Sequence, residues 1–209
     1  MPEAFHRRKK GWGKLKVAVL VSGGGTNLQA LIDAAAAGKM PHVQLSLVVA
    51  SRPGVYALER AERAGIPSEV IARKNFPSKE AYSRALLERL RGQGIEAVVL
   101  AGFLSVLSAE FCAAYADRIL NVHPSLIPAF CGDGYYGLRV HEEALRYGVK
   151  VTGATVHLVN EITDGGRILL QKAVEVREGD TPETLQRRVM EEAEWVLLPE
   201  ALEKICREM

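Results

Sequence analysis

The chain has 209 residues, 48% apolar and 25% charged, with a formal net charge of +2. That composition is ordinary for a soluble globular fold, and +2 is too little charge to mark a nucleic-acid-binding surface. Cys112, Cys131 and Cys206 are far apart and form no CxxC pair, so neither a zinc site nor a disulfide framework is readable, and no apolar run approaches the roughly 18 residues of a membrane span.

Residues 1–14 (MPEAFHRRKKGWGK) are basic but are not followed by the apolar core of a signal peptide. They read as a flexible, solvated tail ahead of a single domain over 15–209, in a reducing, cytoplasmic setting. LKVAVLV at 15–21 is a continuous apolar run, as a strand buried on both faces requires. Positions 26–39 have helical spacing, 43–50 reads as a second strand, 55–65 as a helix ending at Gly65, and 69–72 as a short third strand. Ser78 suits the cap of a helix over 78–94, although a capping-box acid would be expected where Ala81 stands. A buried strand over 95–102, a helix over about 108–116 and a short strand at 119–123 follow. Segment 124–137 carries two prolines and three glycines and reads as an irregular loop. A helix over 138–147, strands over 150–158 and 167–176, and one last helix over 181–205 complete the pattern. Alternating strands and helices predict an α/β fold, a mostly parallel open sheet with helices on both faces. The last two strands are close in sequence, so that part of the sheet is expected to be antiparallel.

SGGGTN at 22–27 lies where the first strand meets the first helix. Three glycines allow a sharp turn and a close backbone approach, and Thr26 or Asn27 can cap the helix, whose free N–H groups suit an anion. A dinucleotide site would want a third glycine where Leu28 stands and an acid at the end of strand two, which reads Ala50-Ser51-Arg52. NAD is therefore disfavoured, and NADP bound through Arg52 is the weaker alternative.

NVHPSLIP at 121–128 is the most informative stretch. Asn121 and His123 are two apart at a strand's carboxyl end, so their side chains share a face at the edge where open α/β sheets bind ligands. An amide donor beside an imidazole suits acyl transfer between two amines. Both groups can stabilise an oxyanion, and the imidazole can move a proton. Asp164, in TDGG at 163–166, is a candidate carboxylate partner that would raise the imidazole's pKa and fix its orientation, if folding brings it near. His141 and His157 read as isolated, with no metal-ligand spacing. Cys131, in the proline-glycine loop, reads as a small packed residue.

Five ordered motifs, VLVSGGGTNLQAL, VVLAGFLSVLS, ILNVHPSLIPAF, VTGATVHLVNEITDGG and VREGDTPETL, resemble the phosphoribosylglycinamide formyltransferase family over about residues 15–202. The resemblance implies a Rossmann-like formyltransferase domain that moves the formyl group of 10-formyltetrahydrofolate to the amine of glycinamide ribonucleotide in purine synthesis. It implies direct transfer, with Asn121 and a charged His123 on the oxyanion, Asp164 assisting, and no metal. Gly25, Thr26 and Asn27 match the family's substrate-phosphate loop. Lys79, Leu104, Ser105, Val106, Leu107, Asn160, Glu161, Ile162 and Thr163 match positions on the folate side, together with Asn121 and Asp164. The implied partners are small molecules, on a monomer or weak homodimer. The family's substrate-contacting Glu falls on Glu194 when counted back from Pro199 and on Ala193 when counted forward, because EEAEWVLLP carries one extra residue. Two relatives set the alternatives. Formyltetrahydrofolate deformylase normally has an N-terminal regulatory domain, for which the residues before 15 leave no room. Methionyl-tRNA formyltransferase adds a C-terminal RNA-binding domain, and the last helix here is expected to end the chain.

Overall fold

A computed structural model describes residues 13–209, and all but the last two residues of the expected basic tail lie outside them. β1 (Leu15–Val21), β2 (Val43–Ala50), β3 (Ser68–Val70), β4 (Ala97–Leu100) and β5 (Ile119–His123) pair in parallel. β6 (Val151–Leu158) and β7 (Ile168–Glu175) join antiparallel, completing a seven-stranded sheet of order β3-β2-β1-β4-β5-β6-β7. The expected α/β class, the mostly parallel sheet and its antiparallel end are all present.

β1 explains why its sequence has no polar alternation. Val17, Val19 and Val21 join one core cluster, while Ala18 and Leu20 join the other, so both faces of the strand are covered. On the first face, α1 (Thr26–Ala36), α2 (Tyr56–Arg63), α6 (Pro182–Val189) and α7 (Trp195–Glu208) bring Leu28, Ala57, Leu185 and Leu198 into the core. On the second, α3 (Lys79–Gly92) and α4 (Ala109–Ala114) bring Tyr82, Leu86 and Phe111. Truncating a fully buried leucine such as Leu20 to alanine in a core of this kind costs about 2–5 kcal/mol. α5 (Leu138–Tyr147) spans its expected residues and stops at Gly148, which adopts the left-handed conformation of a helix C-cap. Ser78 caps α3 by accepting from the Ala81 N–H, so the missing acid is dispensable. VREGDTPETL starts α6: Thr181 and Thr184 bond each other's backbone N–H, and Pro182 takes the first helical position.

Two of the differences from the expected elements are informative. The third strand runs Ser68–Val70, slightly earlier than 69–72, because it pairs only where β2 offers Val48 to Ala50. The last helix is present but carries a π turn over Met190–Glu194 between α6 and α7. A π turn inserts one residue into a helix, which is what the extra residue in EEAEWVLLP requires. Ala193 lies in the core and Glu194 faces the cleft described below.

The sheet's order reverses between β1 and β4, and ligands in open sheets bind outside the carboxyl ends at such a point. Three strand ends are tied together there. Ser22 Oγ lies 2.7 Å from Ser51 Oγ and accepts from the Leu104 N–H at 2.9 Å. Among the described residues, no helix is long and apolar enough to cross a membrane.

Candidate active site

A cleft of about 530 Å³ opens at this switch point. It is lined by Thr26 and Asn27 from the start of α1, the turn after β4, Asn121 and His123 from β5, the loop after β6, and Met190 and Glu194 from the π turn. Of the residues expected to form the site, only Gly25 and Lys79 do not line it.

Gly25 shapes the cleft from behind. It is the N-cap of α1 at φ 73°, and a Cβ there would sit 2.7 Å from the Ala57 Cβ, so only glycine fits. The expected side-chain cap from Thr26 or Asn27 is absent, because both lie inside the helix and the N-cap makes no side-chain bond. The first turn also holds no acid, which leaves its N–H groups and the positive dipole end for a ligand anion. Lys79 begins α3, outside the lining, with its Nζ 4.0 Å from Glu80. Its charge still reaches the lining residue Cys112, whose thiol burial pushes up, Glu161 raises further and Lys79 lowers.

The β5–β6 end of the cleft is built from side chains. Asn121 and His123 point into the cleft from alternate positions of β5, and His157 stands opposite Asn121 on β6. Asp164 arrives from the loop after β6 at φ 54°, and the chain can pass there because a Cβ on Gly166 would lie 1.7 Å from the Leu158 carbonyl oxygen. The carboxylate sits between two imidazoles. Oδ2 is 3.5 Å from His123 Nδ1, and Oδ1 is 3.5 Å from His157 Nε2. Oδ2 also accepts from the Gly132 N–H at 2.8 Å.

Each imidazole is fixed by its far nitrogen. His123 Nε2 donates to the Phe130 carbonyl at 2.8 Å, and His157 Nδ1 donates to the Leu158 carbonyl at 2.9 Å. A carbonyl only accepts, so those nitrogens carry the hydrogens. Unless a ring takes a second proton, it turns a lone pair toward Asp164, and 3.5 Å is longer than a hydrogen bond between such atoms. His157 Nε2 instead accepts from Asn121 Nδ2 at 3.1 Å, leaving the amide's second hydrogen free.

Burial holds His123 below its ordinary pKa against the opposing pulls of Asp164 and the Phe130 carbonyl, and His157 adds to the depression. Against the expected upward pull of Asp164, desolvation is the larger influence and favours the neutral ring in the free cleft. Burial pushes the Asp164 carboxyl up, but His157, His123 and the Gly132 N–H outweigh it, and the group lies below its usual value. It is ionised at rest.

Glu194 faces the cleft from the π turn. It is buried, its Oε2 accepts from Asn27 Nδ2 at 2.7 Å, and burial raises its carboxyl to about 7 despite that bond. Asn27 Oδ1 is buried without a partner. At the mouth, Leu104, Val106 and Ile162 are each more than half exposed and form an apolar rim.

Residues 15–202 match the model of a family described as formyl transferase. The chain belongs to that family. The trifunctional purine biosynthetic protein adenosine-3 of Gallus gallus is 45% identical over 195 residues, which cover 92% of this chain and 18% of that protein. A phosphoribosylglycinamide formyltransferase of Haemophilus influenzae is 39% identical over 85% of this chain and 81% of its own length. The crystal structure of glycinamide ribonucleotide transformylase 1 from Symbiobacterium toebii superposes with a TM-score of 0.88 at 41% identity, covering 96% of this chain and 92% of that one. This formyltransferase chain thus spans under a fifth of the trifunctional relative and most of the single-activity ones.

Sequence reasoning missed one side chain in the cluster. His157 was read as isolated, yet the β5–β6 register sets it against Asn121. Its one signal was a lone titratable side chain in the strand VTGATVHL. The Phe130 carbonyl and the Gly132 N–H gave no signal, since backbone groups leave no mark in residue identity.

Proposed function

We propose that the chain transfers the formyl group of 10-formyltetrahydrofolate to the amine of glycinamide ribonucleotide, acting in the cytoplasm as one catalytic domain over 15–209. The carrying observation is that one cleft holds both an uncapped helix N-terminus and the Asn121–His123–Asp164–His157 cluster. The first suits the substrate's phosphate. The apolar rim of Leu104, Val106 and Ile162 suits the flat pteridine of the folate, with the turn at 104–107 and residues 160–164 bordering it. Glu194 and the free Asn27 Oδ1 face where the ribose hydroxyls would lie.

The substrate amine, neutral when reactive, attacks the formyl carbon. A C–N bond forms and the carbonyl electrons move to oxygen. The free Asn121 N–H and His123 Nε2–H are the donors to that oxyanion, which outcompetes the Phe130 carbonyl because it carries charge. The proton shed by the attacking nitrogen is caught at the unprotonated His123 Nδ1 facing Asp164. There the ring gains a charge-assisted bond as the oxyanion grows. A ring that is neutral at rest and charged only then favours the transition state over the ground state. Return of the proton to the folate nitrogen breaks the second C–N bond and releases tetrahydrofolate.

The test is incubation with 10-formyltetrahydrofolate, with and without glycinamide ribonucleotide. Donor consumption that requires the amine, with formylated product, is expected. Equal consumption without it would show hydrolysis, the deformylase reaction.

A further inference from the structure

Two arginines hold the carbonyl groups of the glycine turn. Arg52 Nε donates to the Ser22 carbonyl at 2.6 Å, and Arg60 Nε donates to the Gly24 carbonyl at 2.8 Å. Arg60 is the more constrained. Its Nη1 donates to Gln29 Oε1 at 2.9 Å, its guanidinium lies 4.9 Å over the Tyr56 ring, and its Cδ is 3.5 Å from where a Gly25 Cβ would stand. A half-buried cation is therefore fixed beside the positive end of α1, with no acid in that helix's first turn and no side-chain cap. Like-signed groups at one helix end repel. The fold nevertheless holds the guanidinium there with three contacts. Arg60 also lines, with Thr26, a groove of about 850 Å³ between α1 and α7, and Thr26 is equally part of the catalytic cleft.

We propose that Arg60 is a specificity-determining residue for the phosphate end of the substrate. The backbone turn offers hydrogen bonds to any small anion. The guanidinium adds the side-chain charge that selects a phosphate dianion over a neutral sugar. The inference rests on the proposed function for the identity of the substrate, but not for the existence of the anion site. Arg60 acts from the flank: its Nε and Nη1 are committed to the protein, which leaves Nη2 for the ligand.

The test uses the whole chain and two readouts. Calorimetric titration with ribose 5-phosphate and with ribose measures anion selectivity without any chemistry. Initial rates with glycinamide ribonucleotide and with its dephosphorylated riboside measure the same selectivity in turnover. Arg60→Ala should weaken ribose 5-phosphate binding and raise the nucleotide's KM by about 10- to 100-fold, the range of one charged hydrogen bond. The riboside rate and the folate KM should stay at the parent values, and Arg60→Lys should recover part of the loss. Arg63→Ala is the control, since Arg63 stacks on the same Tyr56 ring but bonds Glu59 rather than the turn. If Arg60→Ala harms nucleotide and riboside alike, Arg60 only braces the turn and the proposal fails. It fails too if neither moves, or if the parent chain does not bind ribose 5-phosphate. Should Arg60→Ala unfold, Arg60→Gln is read the same way. Arg60-dependent phosphate binding without amine-dependent formyl transfer would leave this proposal standing and remove the proposed function.

Discussion

The two ends of the cleft are made of different materials. At the start of α1 the working groups are backbone N–H groups, fixed by a glycine that no other residue can replace without meeting Ala57. At the β5–β6 end they are buried side chains, two imidazoles about one carboxylate, each ring anchored by a backbone carbonyl. The first end is charged before any ligand arrives. The second holds one negative charge at rest, on Asp164, and gains its positive partner only when a proton reaches His123. On the proposed mechanism binding falls to one end and rate to the other, so substitutions should separate KM from kcat.

The largest effect is expected for His123→Ala. Loss of one oxyanion donor costs roughly 100- to 1,000-fold in turnover, and the proton acceptor leaves with it. The KM of the phosphorylated substrate should hardly change, because that contact is at the other end. Turnover close to the parent's would break the comparison outright. Next is Gly25→Ala, which must push α1 from Ala57 while keeping every catalytic side chain. A rise of about tenfold in that substrate's KM is expected, equivalent to some 1.4 kcal/mol, with a smaller change for the folate. Equal changes for both ligands would show that the turn serves the whole cleft rather than one end.

The same contrast governs what could be read from residues alone. β1 and β2 were legible to the residue because a parallel strand covered on both faces must be apolar throughout. Asn121 and His123 were legible because alternation places both on one face at a strand's carboxyl end. Asp164 could be named but not placed, since its approach depends on a left-handed backbone and on Gly166 passing the Leu158 carbonyl. His157 was hidden because it acquires meaning only through an antiparallel register 36 residues away from its partner. The direction in which the His123 pKa moves was not legible, because burial, the dominant influence on it, has no counterpart in spacing.

Asp164→Asn sharpens the balance at the transfer end. The carboxylate is the main group opposing the burial of His123, so removing it should lower that ring's pKa further. The sign follows from the charges: a neutral amide no longer favours the imidazolium, so a lower pH is needed to protonate the ring. Proton NMR of the His123 Cε1–H against pH measures it, with the acid limb of kcat moving the same way. An upward movement would mean that desolvation by the carboxylate's surroundings, not its charge, dominates.

The smallest effect belongs to Glu194, which lines the cleft beside Asn27 and is read most cleanly through stability. Burial raises its carboxyl from an ordinary 4.5 to about 7, with the Asn27 bond opposing. Between those values the folded chain holds a proton that the unfolded chain has released. Stability linked to this group is therefore greatest below the unfolded value, and is lost as pH rises through about 7. Glu194→Gln keeps the shape and an oxygen for Asn27 but cannot ionise. Its melting temperature should fall less than the parent's between pH 5 and pH 8, by a few degrees at most. Parallel melting curves would mean that the buried carboxyl is already ionised in the folded chain. In that case the π turn delivers a fixed negative charge to the phosphate end, and the separation between a binding end and a proton-moving end would have to be redrawn around Glu194.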